Sequence, residues 1–229
     1  MISETSNSMI QEDVGVIQRS ASTIRIRLGA LALAVSGILF ILYPAIRPFS
    51  DEASLQGAEA FASTNWILAH VLAILGFILL GLGLLGLYIS VQATPVERLA
   101  FWGLMLSWIG TGLTLPFYGA EVFGLHAIGQ EAIRQNNATL LELANQVRFG
   151  PGFYVIMAGL PLLAVGAILV AMTVWKSERL PKWGGVLFAL GFALYIPQYV
   201  ATQPIRVAHG LLVAVGCLWI AAGLWQKSE

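Results

Sequence analysis

Charge is what this sequence has least of. Only 10% of its 229 residues are Asp, Glu, Lys or Arg, while 58% are hydrophobic and the mean hydropathy is +0.80. Soluble domains carry roughly a quarter charged residues, so an ordinary soluble domain is excluded. Twelve basic and twelve acidic residues cancel to a formal net charge of zero. That balance speaks for neither a nucleic-acid partner nor a polybasic membrane patch. Cysteine occurs once, as Cys217 inside an apolar stretch. An internal disulfide, a Cys-rich metal site and a quinone-linked disulfide oxidoreductase, which needs cysteine pairs, are therefore ruled out. The lysines are Lys176, Lys182 and Lys227, all at predicted helix ends. No buried amine is left for a retinal Schiff base.

What the chain has in quantity is apolar length. A hydrocarbon core of about 30 Å takes ~20 helical residues to cross. Six stretches meet that length: Leu28–Ile46, Trp66–Val91, Ala100–Ala120, Phe153–Trp175, Trp183–Val200 and Arg206–Gln226. Each is predicted to be a helix, because a backbone in lipid must satisfy its own hydrogen bonds and the alternation of a barrel strand is missing. The expected fold is all-α, a polytopic integral membrane protein built as a six-helix bundle over residues 28–226. Residues 1–27 are polar, with Ser, Thr and acidic residues, and read as a disordered cytoplasmic tail. Residues 227–229 form a short cytoplasmic C-terminus. The first helix reads as an uncleaved anchor.

Basic residues set the expected orientation. Arg19, Arg25, Arg27, Arg98, Lys176, Arg179, Lys182 and Lys227 fall on one side, and Arg47, Arg134, Arg148 and Arg206 on the other. The excess places both termini in the cytoplasm, with Trp102, Trp175, Trp183 and Trp225 as the inner aromatic belt. The expected location is the plasma membrane, as in a bacterial inner membrane, with the lipid bilayer as the first partner.

Two outer segments are long, Arg47–Asn65 and Glu121–Gly152. Within the second, Thr139 and Glu142 have capping-box spacing ahead of the apolar stripe Leu140, Leu141, Leu143, Ala144 and Val147. Glu131 and Arg134 lie three apart, as in a helical ion pair. A short amphipathic helix is expected there, on the outer side between helices 3 and 4. Small residues recur every four positions (Gly103, Ser107, Thr111; Gly185, Ala189, Ala193), a pattern that lets helices approach closely. Gly81, Gly83 and Gly86 match a dinucleotide fingerprint in letters only, because no strand precedes them.

The candidate site comes from the histidines. His70, His126 and His209 all fall near the outer rim, and ionisable groups at membrane depth point to function. His70 and His209 each lie roughly 5–7 Å inside the rim on parallel helices, at 1.5 Å of rise per residue. Gly76, Gly210 and Gly216 lie nearby, and Arg206 shares the face of His209. Haem b between His70 and His209, with Arg206 on the propionates, has the residues it needs. A zinc or iron site on His70, Glu121, His126 and His209 has suitable donors too. On an unbroken helix Glu121 and His126 stand about 140° apart, so they converge only if it breaks near Gly119 or Gly124. Tyr118, Tyr195, Gln198, Tyr199 and Gln203 add polar groups to the same rim. Redox or metal-dependent chemistry at the outer face is the first functional reading. A lipid- or small-molecule-binding, transporter-like protein and a non-catalytic scaffold or regulatory subunit are the others.

Overall fold

The computed structural model describes residues 2–227, with side chains from residue 20 onward. The expected tail over residues 1–27 therefore lies largely outside the residues whose side chains are described. Every element among the described residues is helical: α1 (Ile2–Ile46), α2 (Leu55–Ala62), α3 (Thr64–Ser90), α4 (Glu97–Gly119), α5 (Leu125–Gln135), α6 (Glu142–Phe149), α7 (Pro151–Lys176), α8 (Lys182–Ala193), α9 (Tyr195–Gln198) and α10 (Gln203–Lys227). Five helical runs are long and apolar enough to cross a membrane: Ser20–Ile46, Thr64–Ser90, Glu97–Gln135, Pro151–Lys176 and Gln203–Lys227. By composition the chain is a multi-pass, membrane-like helical protein.

The long helices close into a ring in the order α1, α3, α4, α7, α8, α10, each packed against two neighbours. Small residues make the crossings close. A Cβ built on Gly110 would lie 2.5 Å from the Leu163 backbone, and one on Gly166 2.4 Å from the Ser107 hydroxyl. The recurring small residues of α4 thus face α7, as their spacing predicts. The core inside the ring is aromatic and aliphatic. Phe40 meets Phe77 edge to face at 5.0 Å, and Phe188 meets Phe192 at 4.9 Å.

Three departures from the sequence reading bear on the site. The stretch Trp183–Val200 is not one long helix. α8 is 12 residues and stops at Leu194, and one turn, α9, follows it. Pro197 has no N–H for the Ala193 carbonyl and its ring crowds that carbonyl, so the break falls there. Ala100–Ala120, by contrast, is the middle of something longer. The helix starts at Glu97, passes through a π turn over Ala120–Gly124 and continues as α5. Pro116 lies three residues before the end of α4, and wider π turns are a known way for a helix to absorb local mismatch. Lastly, Thr139 does not cap a helix. Asn137 does, accepting from the Thr139 N–H, and Thr139 lies within a 3-10 turn that leads into α6.

The short elements pack together at one end of the ring. α2 packs on α5, while Phe61, Trp66, Leu125, Ala132, Leu141 and Ala144 form a second small core. This cap sits over the end where α1, α4 and α8 finish and α3, α7 and α10 begin. At the opposite end Arg27 stacks on Trp225 at 5.5 Å, and Lys182 lies over Trp175 at 5.7 Å.

Candidate functional site

The capped end of the ring carries a chain of buried charges. Arg47 follows the end of α1 and donates to Glu52 at 2.8 Å. Glu52 also accepts from Arg148, near the end of α6. Arg148 then forks onto Glu121, with Nε on one carboxylate oxygen at 2.6 Å and Nη2 on the other at 3.1 Å. A guanidinium held on three oxygens is the geometry in which charge-assisted bonds are strongest. Burial works to raise the Glu52 carboxyl, but the charges and hydrogen bonds of Arg148 and Arg47 outweigh it and hold it below the ordinary glutamate range. Burial likewise works against the Arg148 cation, and bonding to Glu121 and Glu52 reverses that.

The π turn positions Glu121. Its side chain is held by Arg148, and its backbone carbonyl accepts from the Trp66 indole at 2.8 Å. The residue is only 7% exposed. His70, 1% exposed, is one turn beyond Trp66 on α3. Its Nδ1 lies 2.7 Å from the Trp66 carbonyl, an acceptor only, so Nδ1 carries the proton. Nε2 is then directed at Glu121, at 3.7 Å, beyond hydrogen-bond length.

The other two histidines have different work. His126 Nδ1 donates to the Phe61 carbonyl at 2.9 Å, and His209 Nε2 donates to the Gly191 carbonyl at 2.7 Å. Both carbonyls belong to the last turn of a helix, α2 and α8 respectively, where backbone acceptors lack an intrahelical partner. These imidazoles cap orphaned carbonyls.

The four expected ligands therefore do not gather. Only His70 and Glu121 meet, and among the described residues no group of three or more His, Cys, Asp or Glu is placed to hold a metal ion. The π turn falls between Gly119 and Gly124, where convergence of Glu121 with His126 requires a break, yet it directs them to different partners. His70 and His209 do not enclose a haem-sized slot either. The route between them is filled by Tyr118 and Tyr195, whose hydroxyls are 3.0 Å apart, with Tyr195 packed on His209 at 5.3 Å. The neighbouring glycines leave no space for a porphyrin. A Cβ on Gly210 would lie 2.3 Å from the Phe40 carbonyl, and one on Gly216 2.5 Å from the Phe188 backbone. Pro44 cannot bond that Phe40 carbonyl, and Gly210 is what lets α10 settle on the freed oxygen.

No family model matches the chain, and no curated protein or solved structure does. The site must be read from its own geometry.

That geometry is a cavity of about 640 Å³ inside the capped end. Part of its wall is charged and polar: Arg47, Ser50, Asp51, Glu52, Glu121, Arg148 and Arg206, with Tyr43, Tyr118 and Tyr199. The rest is apolar: Phe49, Phe117, Phe149, Phe153, Ile156, Met157, Ile196, Val200 and Ala201. Phe149 and Val200 are 67% and 92% exposed and stand at the mouth. The volume lies within the ~300–1,000 Å³ of small-molecule sites. Of the predicted site residues, Glu121 and Arg206 line it, His70 backs it through Glu121, and His126 and His209 stay outside its wall.

Sequence reasoning missed Phe49, Ser50, Glu52 and the part played by Arg47. The available signal was Arg47-Pro-Phe-Ser-Asp-Glu52, two opposite charges within a short loop directly after a spanning segment.

Proposed function

We propose that this chain is a membrane protein of six crossings, α8 with α9 making the fifth, that binds a small amphiphilic molecule in the cavity at its outer end. Both termini lie in the cytoplasm, and the plasma membrane is the setting. The division of the cavity wall into a charged half and an apolar half carries the reading. A purely polar metabolite gains nothing from Phe153, Ile156 and Met157, and a hydrocarbon gains nothing from three arginines. The exposed apolar mouth at Phe149 and Val200 suits entry from the lipid side. Binding without a covalent step also suits the site, since His70 and Glu121 form no nucleophile–base pair. Among the described residues the buried polar groups deep in the spans are hydroxyls such as Ser36, Ser107 and Thr111 and none is charged, which favours a binding or sensing role over carriage across the membrane.

The test is retention of a fluorescently tagged single-chain amphiphile by the purified full-length protein in nanodiscs. The protein should bind it saturably, and Met157→Trp, which fills the apolar half, should lower the affinity at least tenfold. No saturable binding of any single-chain amphiphile, charged or neutral, rejects the reading.

A further inference from the structure

The polar half of the cavity holds donors without acceptors. Arg47 is 6% exposed, yet its Nε is fully buried and has no hydrogen-bond partner, and the Ser50 hydroxyl is in the same position. Both residues line the cavity. A buried donor left unpaired is costly, and such atoms in a folded protein call for an explanation.

The charges show the same shortage of acceptors. Arg47 and Arg206 both lie against the ring of Phe49, at 4.7 and 5.2 Å, so two cations share one aromatic ring. Arg206 spends its donors on the backbone carbonyls of Ala201 and Tyr199, and no carboxylate pairs with it among the described residues. Glu52 and Glu121 are already shared between Arg47 and Arg148. Asp51 also lines the cavity, with Oδ1 taken by Ser54 and the Ala53 N–H, and makes no ion pair with Arg206 among the described residues. Three arginines and three carboxylates thus line the cavity, and among the described residues Arg206 is the one of these arginines with no carboxylate at ion-pair distance.

We infer that the occupant of this cavity is a single-chain amphiphile with one negative charge on an oxyanion head, a carboxylate or a phosphodiester. The head sits among Arg47, Ser50 and Arg206, and the chain runs over Phe153, Ile156 and Met157 toward the mouth. This rests on the amphiphile reading above and adds the charge and chemistry of the head. An oxyanion head supplies the acceptor that the Arg47 Nε and the Ser50 hydroxyl lack once those side chains turn toward the cavity, and it places its charge beside Arg206.

Four ligands test it by displacement of the tagged amphiphile from the full-length protein: palmitate, lysophosphatidylglycerol, monopalmitoylglycerol and inorganic phosphate. One of the two anionic amphiphiles should bind at least tenfold more tightly than the neutral glyceride, and which of them wins identifies the head. Arg206→Gln should abolish that preference, with binding of the glyceride kept within about twofold as proof of a folded cavity. Ser50→Ala, a smaller change, should weaken the anion several-fold and leave the glyceride unchanged. Equal affinity for the glyceride and both anions overturns the inference while the amphiphile site stands. Phosphate binding as tightly as the anionic amphiphiles overturns it in favour of a free-oxyanion site. Failure of all three amphiphiles removes the site itself.

Discussion

Replacing Arg148 by methionine tests the charge chain most directly. The substitution keeps an unbranched stem but removes the cation that Glu121 and Glu52 share. Glu52 retains Arg47, whereas Glu121 keeps only His70, at 3.7 Å. Breaking a buried pair by removing one member costs roughly 3–5 kcal/mol, because the remaining charge has lost its water and its partner. The Arg148 side chain is 17% exposed and the cavity is open at its mouth, so the lower end, about 3 kcal/mol, applies. For a chain of this length that corresponds to a fall in Tm of about 6–12 °C. Adding Glu121→Gln removes the stranded charge and should restore at least half of the loss, a coupling of about 1.5 kcal/mol or more. Thermal unfolding of the four proteins in one detergent, followed by tryptophan fluorescence, completes the cycle. If the double variant is as unstable as the sum of the singles, Arg148 and Glu121 are not energetically coupled and the account of the site fails.

The Glu52 carboxyl is held below its ordinary range by Arg148 and Arg47, so its contribution is complete above about pH 4.3 and is lost as pH falls through the lowered value. Tm measured from pH 6 to pH 3 should therefore drop, and Glu52→Gln should flatten part of that slope; an unchanged slope refutes the pairing. A purified preparation should show no Soret band and no stoichiometric zinc or iron, because among the described residues no three His, Cys, Asp or Glu gather to hold a metal and Tyr118 and Tyr195 stand between His70 and His209. Either signal would restore the haem or metal reading. Thiol labelling of Asn137→Cys and Ser177→Cys in intact cells should mark the first from outside and the second only after permeabilisation, and the reverse pattern inverts the orientation.

Apolar length was enough to read an all-helical chain with several spanning segments from the sequence, because a backbone in lipid must satisfy its own hydrogen bonds. The charge partner of Glu121 was legible as Arg148 or Arg206 from their place at the rim, and Arg148 is the one that binds it; the other partners were not, because they depend on where helices stop. Gly191 needs His209 only once α8 has ended at Ala193, and Phe61 needs His126 only because α2 stops at Ala62. Depth and residue type brought His70, Glu121 and Arg206 into view. Which of them share a wall depended on Glu52 and Phe49, loop residues with no periodicity to announce them.

The shortness of α8 has a consequence outside the protein. Twelve helical residues measure about 18 Å, well short of a hydrocarbon core of about 30 Å. With α8 and α9 as the proposed fifth crossing, the leaflet along that flank of the ring must thin, or the turn α9 and its exposed neighbour Val200 must fill the shortfall. Acyl chains next to α8 would then be disordered beside the cavity mouth. Bilayer thickness thus becomes a variable of the site: long-chain lipids should hinder entry and short-chain lipids ease it, with no residue changed.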